Sequence, residues 1–165
     1  MKRTRKIRSV SMRRIIPLLL ILTSCASPDF NDRASTENDI REAVFRYQFD
    51  IWKDHGAAAY YLDFSEKKRI DPPADFMHRF AGHFPPVKKV SQCMVRNLGE
   101  GVIDSETEEH GLIFRATSIK RMSDTEVEVS GGYYENGKSA SGNTYTVQWR
   151  NGKWHVTKDC LHWIS

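Results

Sequence analysis

The sequence predicts an α+β fold, and three observations carry that reading. Apolar residues recur at helical spacing in one long segment around residues 40–52, period-two alternation dominates the chain after residue 87, and Arg150-Asn151-Gly152-Lys153 marks a tight hairpin. The expected architecture is a long N-terminal helix plus a shorter helix, both packed on one face of an antiparallel sheet of about five strands.

The first 24 residues stand apart from that domain. Lys2, Arg3, Arg5, Lys6, Arg8, Arg13 and Arg14 precede an apolar run from Ile15 to Leu22, with no acidic residue among them. A basic region followed by a short apolar region has the form of an export signal. The run is too short for a bilayer core, which needs about 20 apolar residues, so a cleaved signal peptide is expected rather than a spanning helix. Leu22-Thr23-Ser24-Cys25 follows, an apolar residue and two small ones before a cysteine. This resembles the lipobox of bacterial lipoproteins, and the resemblance implies that Cys25 is the lipid-attachment residue and the mature N-terminus. It also implies palmitate on an exported, lipid-anchored protein of the cell envelope. In a Gram-negative host, Ala26 after the cysteine points to the outer membrane. Arg13-Arg14 lacks the following residues of a twin-arginine signal, and Met12 remains open as a start because signal and cysteine both lie beyond it.

Cleavage at this point removes seven of the 25 Lys+Arg and no acid, leaving 18 against 21 Asp+Glu, a formal charge of −3. The basic balance of the whole chain is therefore a property of the signal, and a nucleic-acid partner loses its main support. The remaining 141 residues fit one domain with a real core. With Cys25 assigned to lipid, only Cys93 and Cys160 are left to pair in an oxidising compartment, and whether they form a disulfide or remain buried thiols stays open.

Residues 25–35 are small, polar or turn-forming, apart from Phe30, and read as a tether leading to a single domain over residues 36–165. Thr36 is the expected helix cap, with Asp39 in the acidic position of a capping box. Ile40, Val44, Tyr47 and Ile51 then recur at helical spacing, with Phe45, Phe49 and Trp52 widening the stripe and Gly56 as the stop. Ala59 to Phe64 is ambiguous between strand and helix. Asp71-Pro72-Pro73-Ala74 opens the second helix, whose apolar face is Phe76, Met77 and Phe80. Strands are expected at Val87–Val95, Leu112–Arg121, Glu126–Tyr134, Tyr145–Trp149 and Trp154–Trp163, with a polar loop around Asp104 to Glu109.

That element order, with the closing strand pair Tyr145–Trp149 and Trp154–Ile164, resembles the nuclear transport factor 2-like superfamily within the cystatin-like folds. The resemblance implies a curved sheet wrapped around the long helix, with a conical pocket used by different members for binding, catalysis or dimerisation. Phe45, Phe49 and Trp52 would line it.

Gly132-Tyr133-Tyr134-Glu135-Asn136-Gly137-Lys138-Ser139 matches a phosphate-binding loop letter for letter, but alternation rather than a helix follows, so a turn between strands is expected. His78 and His83 lie about 140° apart on a helix, and His155 and His162 face opposite ways on a strand, so no metal site is expected. No cofactor is implied. Acid–base chemistry stays open through Tyr61 and Asp63, which share a face if their segment is a strand, with Asp63 expected at the surface or pocket rim. Trp149 and Trp154 flank the Asn-Gly turn and should pack as a cross-strand pair. The functional expectation is non-covalent binding, of a small apolar ligand or of an envelope protein. The alternative is an enzyme of the isomerase or cyclase type using a pocket carboxylate.

Overall fold

The computed structural model describes residues 30–96 and 99–165, with side chains from residue 36, so the signal, Cys25 and residues 25–29 of the tether lie outside the described residues, while residues 30–35, expected as tether, are helical. Helix α1 (Phe30–Trp52) is followed by strand β1 (Ala59–Asp63), the short helix α2 (Ala74–His78), and β2 (Val87–Lys89) with a single 3₁₀ turn at Val90–Gln92. Strands β3 (Cys93–Arg96), β4 (Gly101–Asp104), β5 (Gly111–Arg121), β6 (Glu126–Asn136), β7 (Ser139–Arg150) and β8 (Lys153–Ile164) complete the chain. The fold is α+β, with six strands in the order β2-β1-β5-β6-β7-β8 and a separate two-stranded sheet, β3-β4.

The main sheet is mixed, not wholly antiparallel as expected, because β1 pairs in parallel with both β2 and β5. Parallel neighbours need crossover connections, and the chain supplies two: α2 lies in the one from β1 to β2, and β3-β4 in the one from β2 to β5. The expected strand Val87–Val95 is accordingly broken by the 3₁₀ turn into β2 and β3, which belong to different sheets. Strand β4, hidden in a segment read as loop, pairs antiparallel with β3 from Cys93↔Asp104 to Arg96↔Gly101.

Strand β1 resolves the ambiguous segment, and its sequence places the layers. All five residues of Ala59-Tyr-Tyr-Leu-Asp63 are buried, so both faces need cover. Tyr60 and Leu62 join Ile40, Val44, Phe45, Phe49, Phe76 and Phe80 in the main core under the helices. Ala59 and Tyr61 face the other way, into a smaller core with Val90, Cys93, Val102 and Ile113 built by the β3-β4 crossover.

The main core is largely aromatic. Phe45 sits 6.1–6.5 Å from the rings of Phe49, Phe64, Phe76 and Phe80, and Phe49 lies 5.0 Å from Tyr60 and 5.4 Å from Phe114. These stacked, tilted and edge-on pairs add to the stabilisation from the area they bury. Helix α1 begins before Thr36, the expected cap, and Ile51 falls outside the buried stripe at 54 % exposure. Arg79, just after α2, ties the two helices by ion pairs to Asp39 and Glu42 at 2.6 and 2.8 Å.

The hairpins follow the local chemistry. Asn151 and Gly152 have φ of 52° and 76°, as a type I′ turn requires, and Trp149 pairs with Trp154 across it with ring centroids 5.5 Å apart. The segment resembling a phosphate loop is the β6–β7 hairpin, with Asn136 opposite Ser139 and no helix after it.

A polar clamp fastens the second sheet to β1 and β2. The Tyr61 hydroxyl donates to Asp104 Oδ2 at 2.5 Å, and Lys88 Nζ donates to the same oxygen at 2.6 Å. The amides of Glu106 and Thr107 donate to Asp104 Oδ1. Burial alone would raise the Asp104 carboxyl, but the hydrogen bonds from Lys88 and Tyr61, with those two amides, outweigh it and hold the group well below the usual carboxylate range. A depressed carboxyl contributes stability that is fully present above its unfolded value and lost as pH falls through the folded one. Tyr61→Phe should therefore cost about 1.5–3 kcal/mol in urea unfolding at neutral pH. Asp104→Asn should flatten the stability loss seen in the wild type below about pH 4; equal pH profiles for the two proteins would show that the clamp contributes nothing.

Candidate functional site

The residues singled out in the sequence do not converge on one place. Tyr61 is fully buried in the second core with its hydroxyl committed to Asp104. Asp63 is 2 % exposed rather than at the surface, because its Oδ1 accepts from the amides of Ser65 and Ile70 and so folds the loop after β1. Arg115 Nε stands 3.6 Å from its other oxygen. Tyr61 and Asp63 share a face, as expected, but each is closed off by its own partners. Of the three aromatic residues expected in a pocket, Phe45 is enclosed by other rings, the nearly buried Phe49 borders one concavity, and Trp52 at the end of α1 borders an apolar cleft.

Cys93 and Cys160 are free thiols. Cys93 is buried in β3 of the small sheet and Cys160 is exposed on β8 of the large one, so the two never meet. His78 and His155 are exposed, His83 Nδ1 bonds the Pro85 carbonyl and His162 Nε2 bonds the Thr144 hydroxyl. Among the described residues no group of three or more His, Cys, Asp or Glu is placed to hold a metal ion, and no helix is long and apolar enough to cross a membrane.

Among the described residues, at least three concavities border α1. One of about 350 Å³ is lined by Asp39, Glu42, Arg46 and Lys153 beside Trp149 and Trp154, but Arg46 pairs with Glu42 and Arg79 with Asp39, so three of those four charged groups are already engaged. A second, of about 290 Å³, lies against Phe49, Tyr60, His83 and Phe84, with Lys53 paired to Asp50 at its rim.

The third, of about 390 Å³, opens between the last turns of α1 and strands β6, β7 and β8. Ile51 and Trp52 of α1, Tyr133 of β6, and Leu161 and Ile164 of β8 form its apolar walls. Bulges in the β7–β8 ladder at Gly142/Asn143 and Thr146/Val147 bend these strands and re-aim the side chains that follow. A Cβ on Gly142 would stand 2.2 Å from the Trp163 indole nitrogen, so a larger residue there would have to displace that half-exposed ring.

The polar floor of this cleft is made by Gln48, Tyr145, Asn143, Ser141 and Asp159. Gln48 is 2 % exposed and sits on the buried stripe of α1, four residues after Val44. Its Nε2 donates to the carbonyls of Arg115 and Gly132 at 3.2 and 3.1 Å and to Tyr145 Oη at 3.0 Å. Turning the amide over would set its oxygen against two carbonyl oxygens, so Oε1 is fixed as the other end. That Oε1 is buried with no hydrogen-bond partner. Native structures rarely leave such a group unsatisfied.

Around it, Asn143 Nδ2 donates to Asp159 Oδ1 at 2.6 Å, the Ser141 hydroxyl donates to Asn143 Oδ1 at 2.6 Å, and the Tyr47 hydroxyl approaches Asp159 Oδ2 at 3.5 Å. Burial, and after it Asp159, pushes the Tyr47 phenol upward; burial does the same to Tyr145 more strongly. Both tyrosines thus stay protonated donors at neutral pH. Sequence reasoning missed Gln48, Asn143 and Asp159. The available signal was a polar residue at a position where the helical stripe Ile40, Val44 demands an apolar one.

Compared with known protein families, curated proteins and solved structures, the chain shows no match.

Burial pushes the Cys93 thiol up to about 11, against a weaker opposing pull from Arg69, while Cys160 lies in the open. Maleimide labelling of the folded protein at about pH 7.5 should modify the Cys160 peptide and leave Cys93 protected until denaturant is added, because the thiolate is the reactive form. A Cys93–Cys160 crosslinked peptide in non-reduced digests is the contrary result.

Proposed function

We propose that this is a lipid-anchored binding domain, held at a membrane through Cys25 and binding a small, largely apolar molecule non-covalently in the cleft between α1 and β8. One observation carries the binding reading. A cleft of about 390 Å³ has apolar walls and, on its floor, a buried acceptor, Gln48 Oε1, without a donor. Small-molecule sites are mostly apolar concavities of about 300–1,000 Å³ with a few placed polar groups. We carry the nuclear transport factor 2-like resemblance into this proposal on element order alone. Were the domain an enzyme of the isomerase or cyclase type, its carboxylate would be Asp159, which borders the cleft near two tyrosines, and not Asp63, which is spent on its own loop.

Anchoring is checked by metabolic labelling with palmitate. Label is expected on the wild-type chain and absent from Cys25→Ser, which should also leave the membrane fraction, since the tether has little affinity of its own; label retained in the variant overturns the assignment. The binding reading is checked with Nile red, a neutral solvent-sensitive dye, added to the full chain. Its emission should rise with saturation, and Leu161→Asp, at a half-exposed position of an edge strand, should weaken binding at least about tenfold with little change in melting temperature. Saturable binding that ignores Leu161→Asp, or no binding at all, rejects the cleft as the site.

A further inference from the structure

The floor of the α1–β8 cleft is unusually one-sided in its chemistry. Gln48 Oε1 is an acceptor with no donor, and the amide's donor end is consumed by two main-chain carbonyls and Tyr145. The Asp159 carboxylate accepts from Asn143 and Tyr47 yet is only half-buried, so it keeps lone pairs facing the cleft. No Lys, Arg or His lines this space, which makes Asp159 the single formally charged group among its lining residues. The wall beside it is aromatic, with Trp52 and Tyr133 in contact at 4.1 Å between ring centroids.

A carboxylate or phosphate entering here would meet a like charge and no cation. Against a pure acceptor the polar floor offers only the Tyr145 phenol and the second amide hydrogen of Asn143. A protonated amine meets the opposite situation: a carboxylate for its charge, an unpaired amide oxygen for one of its hydrogens, and aromatic rings that attract cations on their faces. Resting on the binding reading above, we infer that the cleft selects small apolar molecules carrying a primary amine, with the ammonium group between Gln48 Oε1 and Asp159 and the apolar body against Trp52, Leu161 and Ile164.

The test displaces Nile red from the full chain with three molecules of matched size: 2-phenylethylamine, 2-phenylethanol and phenylacetate. The amine should displace the dye at a concentration at least about tenfold lower than the alcohol, equivalent to about 1.4 kcal/mol, and phenylacetate should be the weakest. Asp159→Asn keeps the shape and the Asn143 neighbour while removing the charge, and should erase most of the advantage of the amine over the alcohol. If dye binding depends on Leu161 but the alcohol or the acid competes as well as the amine in the wild type, the amine inference fails and the cleft stands. Should the dye show no dependence on Leu161, the site itself is wrong and the ligand class falls with it. The wild-type series decides the class even if Asp159→Asn is poorly folded.

Discussion

Burial of β1 on both faces is the constraint that organises this domain. Five residues, Ala59 to Asp63, lie within the mixed sheet between β2 and β5, and their alternation divides the molecule in two. Tyr60 and Leu62 need the aromatic layer of α1 and α2 on one side; Ala59, Tyr61 and Asp63 need a second cover on the other. The β3-β4 crossover provides it. Because two of the three back-face side chains are polar, that cover must also supply partners, and it does so through Asp104, while Asp63 turns to the amides of its own loop. A polar group left alone at either place would cost more than its hydrogen bond contributes.

The same sheet changes character toward its other edge. Strand β1 and the first half of β5 are sealed, whereas β8 ends with exposed Leu161, Trp163 and Ile164, and the helix above it presents Ile51 to solvent. Close packing ends where α1 ends and the β7–β8 bulges bend the sheet, and the cleft occupies that margin. Its polar floor is linked to the packed interior through Gln48, which touches β5, β6 and β7 at once. The site is therefore held by the fold's rigid middle, while its apolar walls stand on an edge strand.

Local patterns in the sequence were sufficient for the local features. The helical stripe of α1, the alternation of β6 to β8, and the Asn151-Gly152 turn with its tryptophan pair are each determined by neighbours a few residues away. What was not legible depended on distant pairing. The parallel register of β1 follows from crossovers on either side of it, and a five-residue buried strand has no period to read. Strand β4 is four residues long and owes its existence to β3. The site suffered most, because Asp159, Asn143 and Gln48 are polar residues within segments whose apolar members carried the pattern. Tyr61 and Asp63 drew notice for their chemistry, whereas a contact across 43 residues decides what Tyr61 does.

Two of the three acceptors of the Gln48 amide are main-chain oxygens, on β5 and β6, and they can be reached because residues 131 and 132 are both glycine. A Cβ on Gly131 would lie 2.2 Å from the Arg115 carbonyl, and one on Gly132 2.1 Å from that of Ser141. Carbonyl oxygens are the same whatever residue bears them, so the docking of α1 onto the sheet is indifferent to most mutations at position 115. Among divergent descendants of this chain, drift should accordingly be wide around the anchoring point and nearly absent at three columns, 48, 131 and 132, so that kinship would be recognised by a glutamine and a glycine pair long after the apolar pattern had been rewritten.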